Sequence, residues 1–173
     1  MDLTDYQDRI RPTLQTGDTL AFSSGGLTGW IIQKRTHSRY THVGLILRIT
    51  WEGVDRVFLL HAAPEVGVQL LPVSRYLSRY TGRAWYVPLV NASATFEARR
   101  KLLDWGLNQL GRDYDYKGVL HYVLPFIHQQ GGDDYCSELV AEGWKMLELV
   151  EGTSYAPGEL MALPCAGTPV EIR

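Results

Sequence analysis

The sequence predicts an α+β fold, and three observations carry the prediction. Segments rich in Val, Leu, Ile and aromatic residues fill the middle of the chain, helical periodicity marks both ends, and the links between the apolar segments are short. Short links favour antiparallel pairing, because a parallel crossover needs a dozen residues or more. The expected architecture is an antiparallel sheet of about five to six strands packed against flanking helices.

The elements follow in order. Thr4 and Gln7 make a capping-box pattern, and Tyr6, Ile10 and Leu14 recur at four-residue steps, so a short amphipathic helix opens the chain. Gly17-Asp18 turns it into a strand at Thr19 to Ser23, and Leu27 to Lys34 reads as a short helix with Trp30 and Ile31 facing inward. Strands are expected at Thr41 to Ile49, Arg56 to Ala63, Gly67 to Leu71 and Arg83 to Leu89, with a helical turn at Val73 to Tyr80. From Ser93 the period changes. Phe96, Leu103, Leu107 and Leu110 share one helical face, Arg99, Arg100 and Lys101 take solvent positions, and Gly111 sits where a C-terminal cap belongs. Arg112 to Gln130 is irregular, with one short helix at Lys117 to Val123. A helix through Cys136 runs to about Leu149, followed by a short helix at Gly158 to Ala162 and an edge strand at Pro169 to Ile172.

Length and composition bound the function. At 173 residues, the chain fits a single domain spanning 1–173 with its own core. With 45% hydrophobic and 21% charged residues it is not disordered, and a net charge of −2 lacks the basic footprint that nucleic-acid binding requires. Met1 to Arg11 is polar and carries three aspartates, unlike a secretory signal, and no apolar run is long enough to span a bilayer. A soluble, cytoplasmic protein is expected, with delivery by a phage or specialised secretion route left open. Its two cysteines, Cys136 and Cys165, are read as free thiols in a reducing compartment.

Cys136 is where chemistry is expected. Gly131 to Asp134 supply turn and N-cap residues, and Cys136, Leu139, Val140, Gly143 and Leu147 then recur on one helical face. The thiol lies in the first helical turn, where unpaired N–H groups and the helix dipole favour a thiolate. Cysteine is also among the most buried residue types, so position alone equally fits core filling until a base is found. His42, at the start of the first long strand in Thr41-His42-Val43-Gly44, is that candidate base, since a strand end is rigid yet reaches a cleft. Gly44 leaves room beside its imidazole. His61, ending the next strand, can orient His42 if the two strands pair, with Glu65 in the following turn as the other orienter. As bland alternatives, His42 is a partly exposed structural histidine and His61 a satisfied core one.

Gly17-Asp18, then Ser38-x-x-Thr41-His42-Val43-Gly44, Glu65-x-Gly67-Val68, Gly111-x-x-Tyr114-Asp115, Tyr135-Cys136-Ser137-Glu138-Leu139-Val140 and Ala156-Pro157-Gly158-Glu159-Leu160 stand in an order that resembles the permuted papain-like amidases. These are NlpC-type cysteine hydrolases of the YiiX-like group, and the resemblance spans Gly17 to about Leu163. It implies a circularly permuted papain-like fold in which the histidine-bearing strands precede the nucleophile helix. Cys136 would be the nucleophile, His42 the base and His61 the third catalytic residue. Relatives often have glutamate in that third position, and histidine there is similar to the lecithin retinol acyltransferase-like proteins. Tyr114, Tyr135 and Glu65 would contribute to substrate binding, although Tyr114 also fits a half-buried structural tyrosine.

The implied reaction is hydrolysis of an amide or isopeptide bond through a thioester, in a bacterial setting and without a cofactor. Acyl transfer or lipid-ester hydrolysis by the same dyad, and a non-catalytic binding domain of the same fold, are the other readings. Arg75, Arg79 and Arg83, and likewise Arg35 and Arg39, could hold a carboxylate or phosphate, or simply be solvated. His37, His42, His61 and Cys136 lack the spacing of a zinc site, so no metal is expected.

Overall fold

The computed structural model describes residues 6–25, 30, 33–34, 36–63, 66–90, 95–113 and 135–173. Strands β1 (Thr19–Ser23), β2 (His42–Trp51), β3 (Val54–Ala63), β4 (Gly67–Pro72), β5 (Arg83–Val87) and β6 (Val170–Glu171) form one sheet in the order β4-β3-β2-β1-β5-β6. All pairings are antiparallel. The tightest link shows why: Glu52 and Gly53, both at positive φ (47° and 79°), turn β2 into β3 in two residues and pair Trp51 with Val54. The architecture is α+β, as the segment pattern requires.

Period-two alternation sorts the apolar residues onto two faces. Val43, Leu45 and Leu47 of β2 and Leu60 and Ala62 of β3 join one buried cluster with Leu102, Leu139, Val140 and Trp144. These come from two helices, α2 (Phe96–Asn108) and α3 (Tyr135–Met146). Leu20, Phe22, Ile46, Val57 and Leu59 point the other way, into a second cluster with Tyr6, Leu14, Ile172 and Val73 and Leu77 of helix α1 (Val73–Arg79). Each such aliphatic side chain withdrawn from water stabilises the fold by about 1.5–3 kcal/mol. A short helix, α4 (Pro157–Leu160), packs beside α3 and next to the loop before β2, where a Cβ on Gly158 would collide with Ser38.

Three expectations are corrected. The opening helix is a single π-turn, Tyr6–Ile10, closed by Arg11 N–H donating to Tyr6 C=O. Tyr6 and Leu14 are both anchored in the core, while the Arg11 guanidinium is held by Asp55 (2.9 Å), which fixes the spacing between them. In α2 the inward face is not Phe96, Leu107 and Leu110, which are 79%, 37% and 43% exposed, but Leu102 and Gly106 against Leu47 and Leu60. The face is set by Arg99, which turns inward to the Thr16 carbonyl and to Asp18. Trp30, expected inside, is 56% exposed.

Asp18 explains that choice. It is 2% exposed and accepts hydrogen bonds from Gln15 N–H, Leu89 N–H and the Tyr86 hydroxyl, with Arg99 as its cation. Burial nevertheless pushes its carboxyl pKa up, with the four partners acting against that shift. Among the described residues no helix is long and apolar enough to cross a membrane.

Candidate active site

His42 is the first residue of β2, paired across the sheet with Phe22 of β1, and His61 lies near the end of β3. Gly44 sits between them. A Cβ there would lie 2.6 Å from Leu59 Cδ1 and 3.1 Å from His61 Cβ, so the missing side chain is what lets the second imidazole close on the first. His42 Nε2 and His61 Nδ1 are 3.1 Å apart, a hydrogen bond between rings inclined at 83°. The pairing of β2 with β3 thus brings the two histidines singled out in the sequence into direct contact.

The surroundings are aromatic and poorly solvated. Phe22 lies 5.9 Å from the His42 ring centroid, and the Tyr76 ring of α1 lies 5.1 Å from that of His61 at 73°. Part of His42 still reaches solvent, although protein surrounds the ring densely; His61 is 4% exposed. Burial lowers the pKa of both, to about 3 for His42, with a further contribution from its neighbour His61, and to about 4 for His61. Both imidazoles are therefore neutral at physiological pH. His61 Nε2 is buried without a hydrogen-bond partner among the described residues.

Cys136 stands in the first turn of α3 and is 7% exposed. It belongs to the cluster on the sheet face opposite the histidines, so the question is whether it lies at their end of the sheet. Contacts along α3 bear on it. Gly143 abuts Leu45, and Trp144 Nε1 donates to Gly17 C=O, which fixes the C-terminal half of the helix over the middle of β2. At the other end, Ser137 Oγ donates to Tyr155 C=O, just before α4, and α4 lies against Ser38 in the loop that leads to His42. Charge on the Cys136 sulfur also helps push the Tyr76 phenol pKa up, after burial and Tyr80. Tyr76 therefore borders the histidine pair and lies within electrostatic range of the thiol, and sequence reasoning missed it. Its one signal was the helical turn expected at Val73 to Tyr80.

The other candidates divide. Tyr114 and Glu65 lie outside the described residues, as does the side chain of Tyr135, whose backbone opens α3. Arg83 is withdrawn from any ligand role by Glu171, at 2.5 Å, and by stacking over Trp85, whereas Arg75 and Arg79 have no ion pair or hydrogen bond from their guanidinium groups among the described residues. Cys165 is a free thiol, 2% exposed, with its pKa raised by burial.

No curated protein matches the sequence. Five solved chains match the structure. One is the crystal structure of metalloprotein yiiX from Escherichia coli O157:H7, with a TM-score of 0.64, 19% identity, and coverage of 90% of this chain and 96% of that one. At that identity the likeness establishes the fold. The family described as permuted papain-like amidase enzyme, YaeF/YiiX, C92 family, matches residues 13–162, which takes in Cys136, His42 and His61. The chain belongs to this YaeF/YiiX family of permuted papain-like amidases, and so to the cysteine hydrolases in general.

Proposed function

We propose that the protein cleaves an amide or isopeptide bond through a thioester on Cys136, with His42 as general base and His61 as the residue that orients it. The observation that carries this reading is the 3.1 Å contact between His42 Nε2 and His61 Nδ1 at the end of the sheet where α3 begins. With Nε2 engaged, Nδ1 is the nitrogen left to exchange a proton with a thiol. In the productive tautomer His42 Nε2–H donates to His61 Nδ1, and His42 Nδ1 carries a lone pair. His61 Nε2 then bears a proton, and the Tyr76 ring beside it offers a weak N–H···π acceptor.

The proton then moves in step with bond formation. As Sγ attacks the carbonyl carbon, its proton passes to His42 Nδ1 and the carbonyl electrons move onto oxygen. The N–H of Cys136, in the first turn of α3, would donate to that oxyanion. Collapse breaks the C–N bond, with the Nδ1 proton going to the departing amine. Water then gives a proton to Nδ1, attacks the thioester and releases a carboxylic acid. A carboxylate in the third position would stabilise an imidazolium; a neutral, buried histidine does not. Burial, with a smaller contribution from His61, keeps the base unprotonated well below neutral pH.

The yiiX relative is described as a metalloprotein. Among the described residues no group of three or more His, Cys, Asp or Glu side chains is arranged to hold a metal ion, so no step is derived through one. A second reading, acyl transfer or lipid-ester hydrolysis by the same dyad, is favoured by histidine in the third position.

A panel of peptide, acyl-amide and ester substrates tests the proposal. We expect turnover that disappears in Cys136→Ala and an acyl adduct on Cys136 in acid-quenched protein. Resolution of that adduct by an added amine or alcohol in preference to water would favour the second reading. Turnover retained by Cys136→Ala would contradict both.

A further inference from the structure

We propose that the cavity under α1 binds the carboxylate of the substrate, which makes the substrate an acylated amino acid or a peptide end with an apolar or aromatic portion. The inference rests on the amide-cleaving reading above and adds the substrate class. The cavity measures about 490 Å³ and is lined by Leu71, Arg75, Tyr76, Arg79 and Tyr80. That lies in the ordinary range of small-molecule sites.

Its chemistry is two-sided. Tyr76 and Tyr80 stack at 5.8 Å and 16°, giving a flat apolar wall, while Arg75 and Arg79 stand one helical turn apart at the rim. Arg11, Arg48, Arg83, Arg99 and Arg112 each face a carboxylate in the described structure. By contrast, Arg75 and Arg79 have none among the described residues, so both planar guanidinium groups retain their full donor capacity beside an apolar hollow. A carboxylate accepts two parallel N–H bonds from such a fork. The wall of the cavity is also the wall of the histidine pair, since the Tyr76 ring packs on His61 at 5.1 Å. A ligand anchored at the arginines and lying along the tyrosines thus ends one ring's thickness from the histidines.

Binding can be measured without turnover. The full chain carrying Cys136→Ala is titrated with N-benzoylglycine, with its uncharged amide and with phenyl phosphate, by ligand-observed NMR. We expect N-benzoylglycine to bind about tenfold or more tighter than the amide. The preference should vanish in Arg75→Gln/Arg79→Gln and survive in Arg100→Gln, a control on the exposed side of α2. Equal binding of acid and amide, no binding of either, or a preference that survives the double substitution would overturn the proposal. Tighter, arginine-dependent binding of phenyl phosphate would overturn the carboxylate assignment. The thiol takes no part in this measurement, so loss of the hydrolase reading would appear instead as absent turnover alongside intact binding.

Discussion

The two ends of β1 hold two buried polar clusters built on opposite principles. At its start, Asp18 is surrounded by donors: two backbone N–H groups, a tyrosine hydroxyl and the Arg99 guanidinium. At its far end, beside Phe22, two neutral histidines share one hydrogen bond, and His61 Nε2 is left without a partner among the described residues. Buried polar groups are normally satisfied, and a satisfied network rigidifies the fold. The Asp18 cluster ties the β1 entry, the β5 exit and α2 together and leaves no capacity for other chemistry. The histidine pair retains an unused nitrogen, Nδ1 of His42, on a residue that still reaches solvent. The contrast separates a structural knot from a candidate site.

The sharpest way to break the contrast is to exchange the two kinds of loss. His42→Ala should lower kcat/KM by about 10³, through loss of general-base catalysis, with little change in the unfolding midpoint in urea. Asp18→Ala should do the reverse. It leaves three donors unsatisfied and takes the carboxylate away from the part-buried Arg99 guanidinium, so stability falls by about 3–5 kcal/mol in urea unfolding, while the protein that remains folded keeps its turnover per molecule. If Asp18→Ala abolished activity at unchanged stability, the division would be wrong.

Smaller effects sharpen it. His61→Ala should reduce kcat by about 10- to 100-fold and His61→Gln by less, because the glutamine carbonyl can still accept from His42 Nε2–H. A similar loss in both variants would deny His61 its orienting role. Acid should weaken the fold through the same pair. Their folded pKa values, about 3 and about 4, lie below the ordinary 6.5, so the unfolded chain takes up protons first. Their contribution is complete above about pH 6.5 and is lost as pH falls toward 4 and then 3, at up to about 1.4 kcal/mol per pH unit per histidine. Urea unfolding between those limits should show a flatter slope in His42→Gln/His61→Gln; an equal slope would mean the two rings titrate normally. The smallest effect is at Tyr76: Tyr76→Phe should leave kcat unchanged and Tyr76→Ala lower it a few-fold, matching a ring contact of about 0.5–1 kcal/mol. A large loss in Tyr76→Phe would instead make the hydroxyl a catalytic group.

Much of this was legible in the sequence, and for reasons that can be named. Strands β1 to β5 announce themselves through β-branched runs broken by turn residues, as in Glu52-Gly53. The histidine pair could be anticipated because two strands joined by a tight turn must be neighbours, and Gly44 marked the space between them. The inward face of α2 could not, because Arg99 is drawn inside by Asp18, a partner 81 residues away in the chain. Phe96, Leu107 and Leu110 are apolar yet exposed, so hydrophobicity alone selected the wrong stripe. Tyr76 was invisible for a similar reason: its role depends on a sheet that stacks α1 over His61, and nothing in Val73 to Tyr80 signals that. The readings at Glu65 and Tyr114 and the helix expected at Lys117 to Val123 lie outside the described residues.

The central claim is that His42 serves the thiol of Cys136. Alkylation of the folded protein with iodoacetamide near pH 7, with the adducts located by peptide mass mapping, tests it most directly. Cys136 should be modified well ahead of Cys165, which is buried with its thiol pKa raised, and the difference should shrink in His42→Ala. Equally slow modification of the two cysteines, or a Cys136 rate that does not change when His42 is removed, would contradict it.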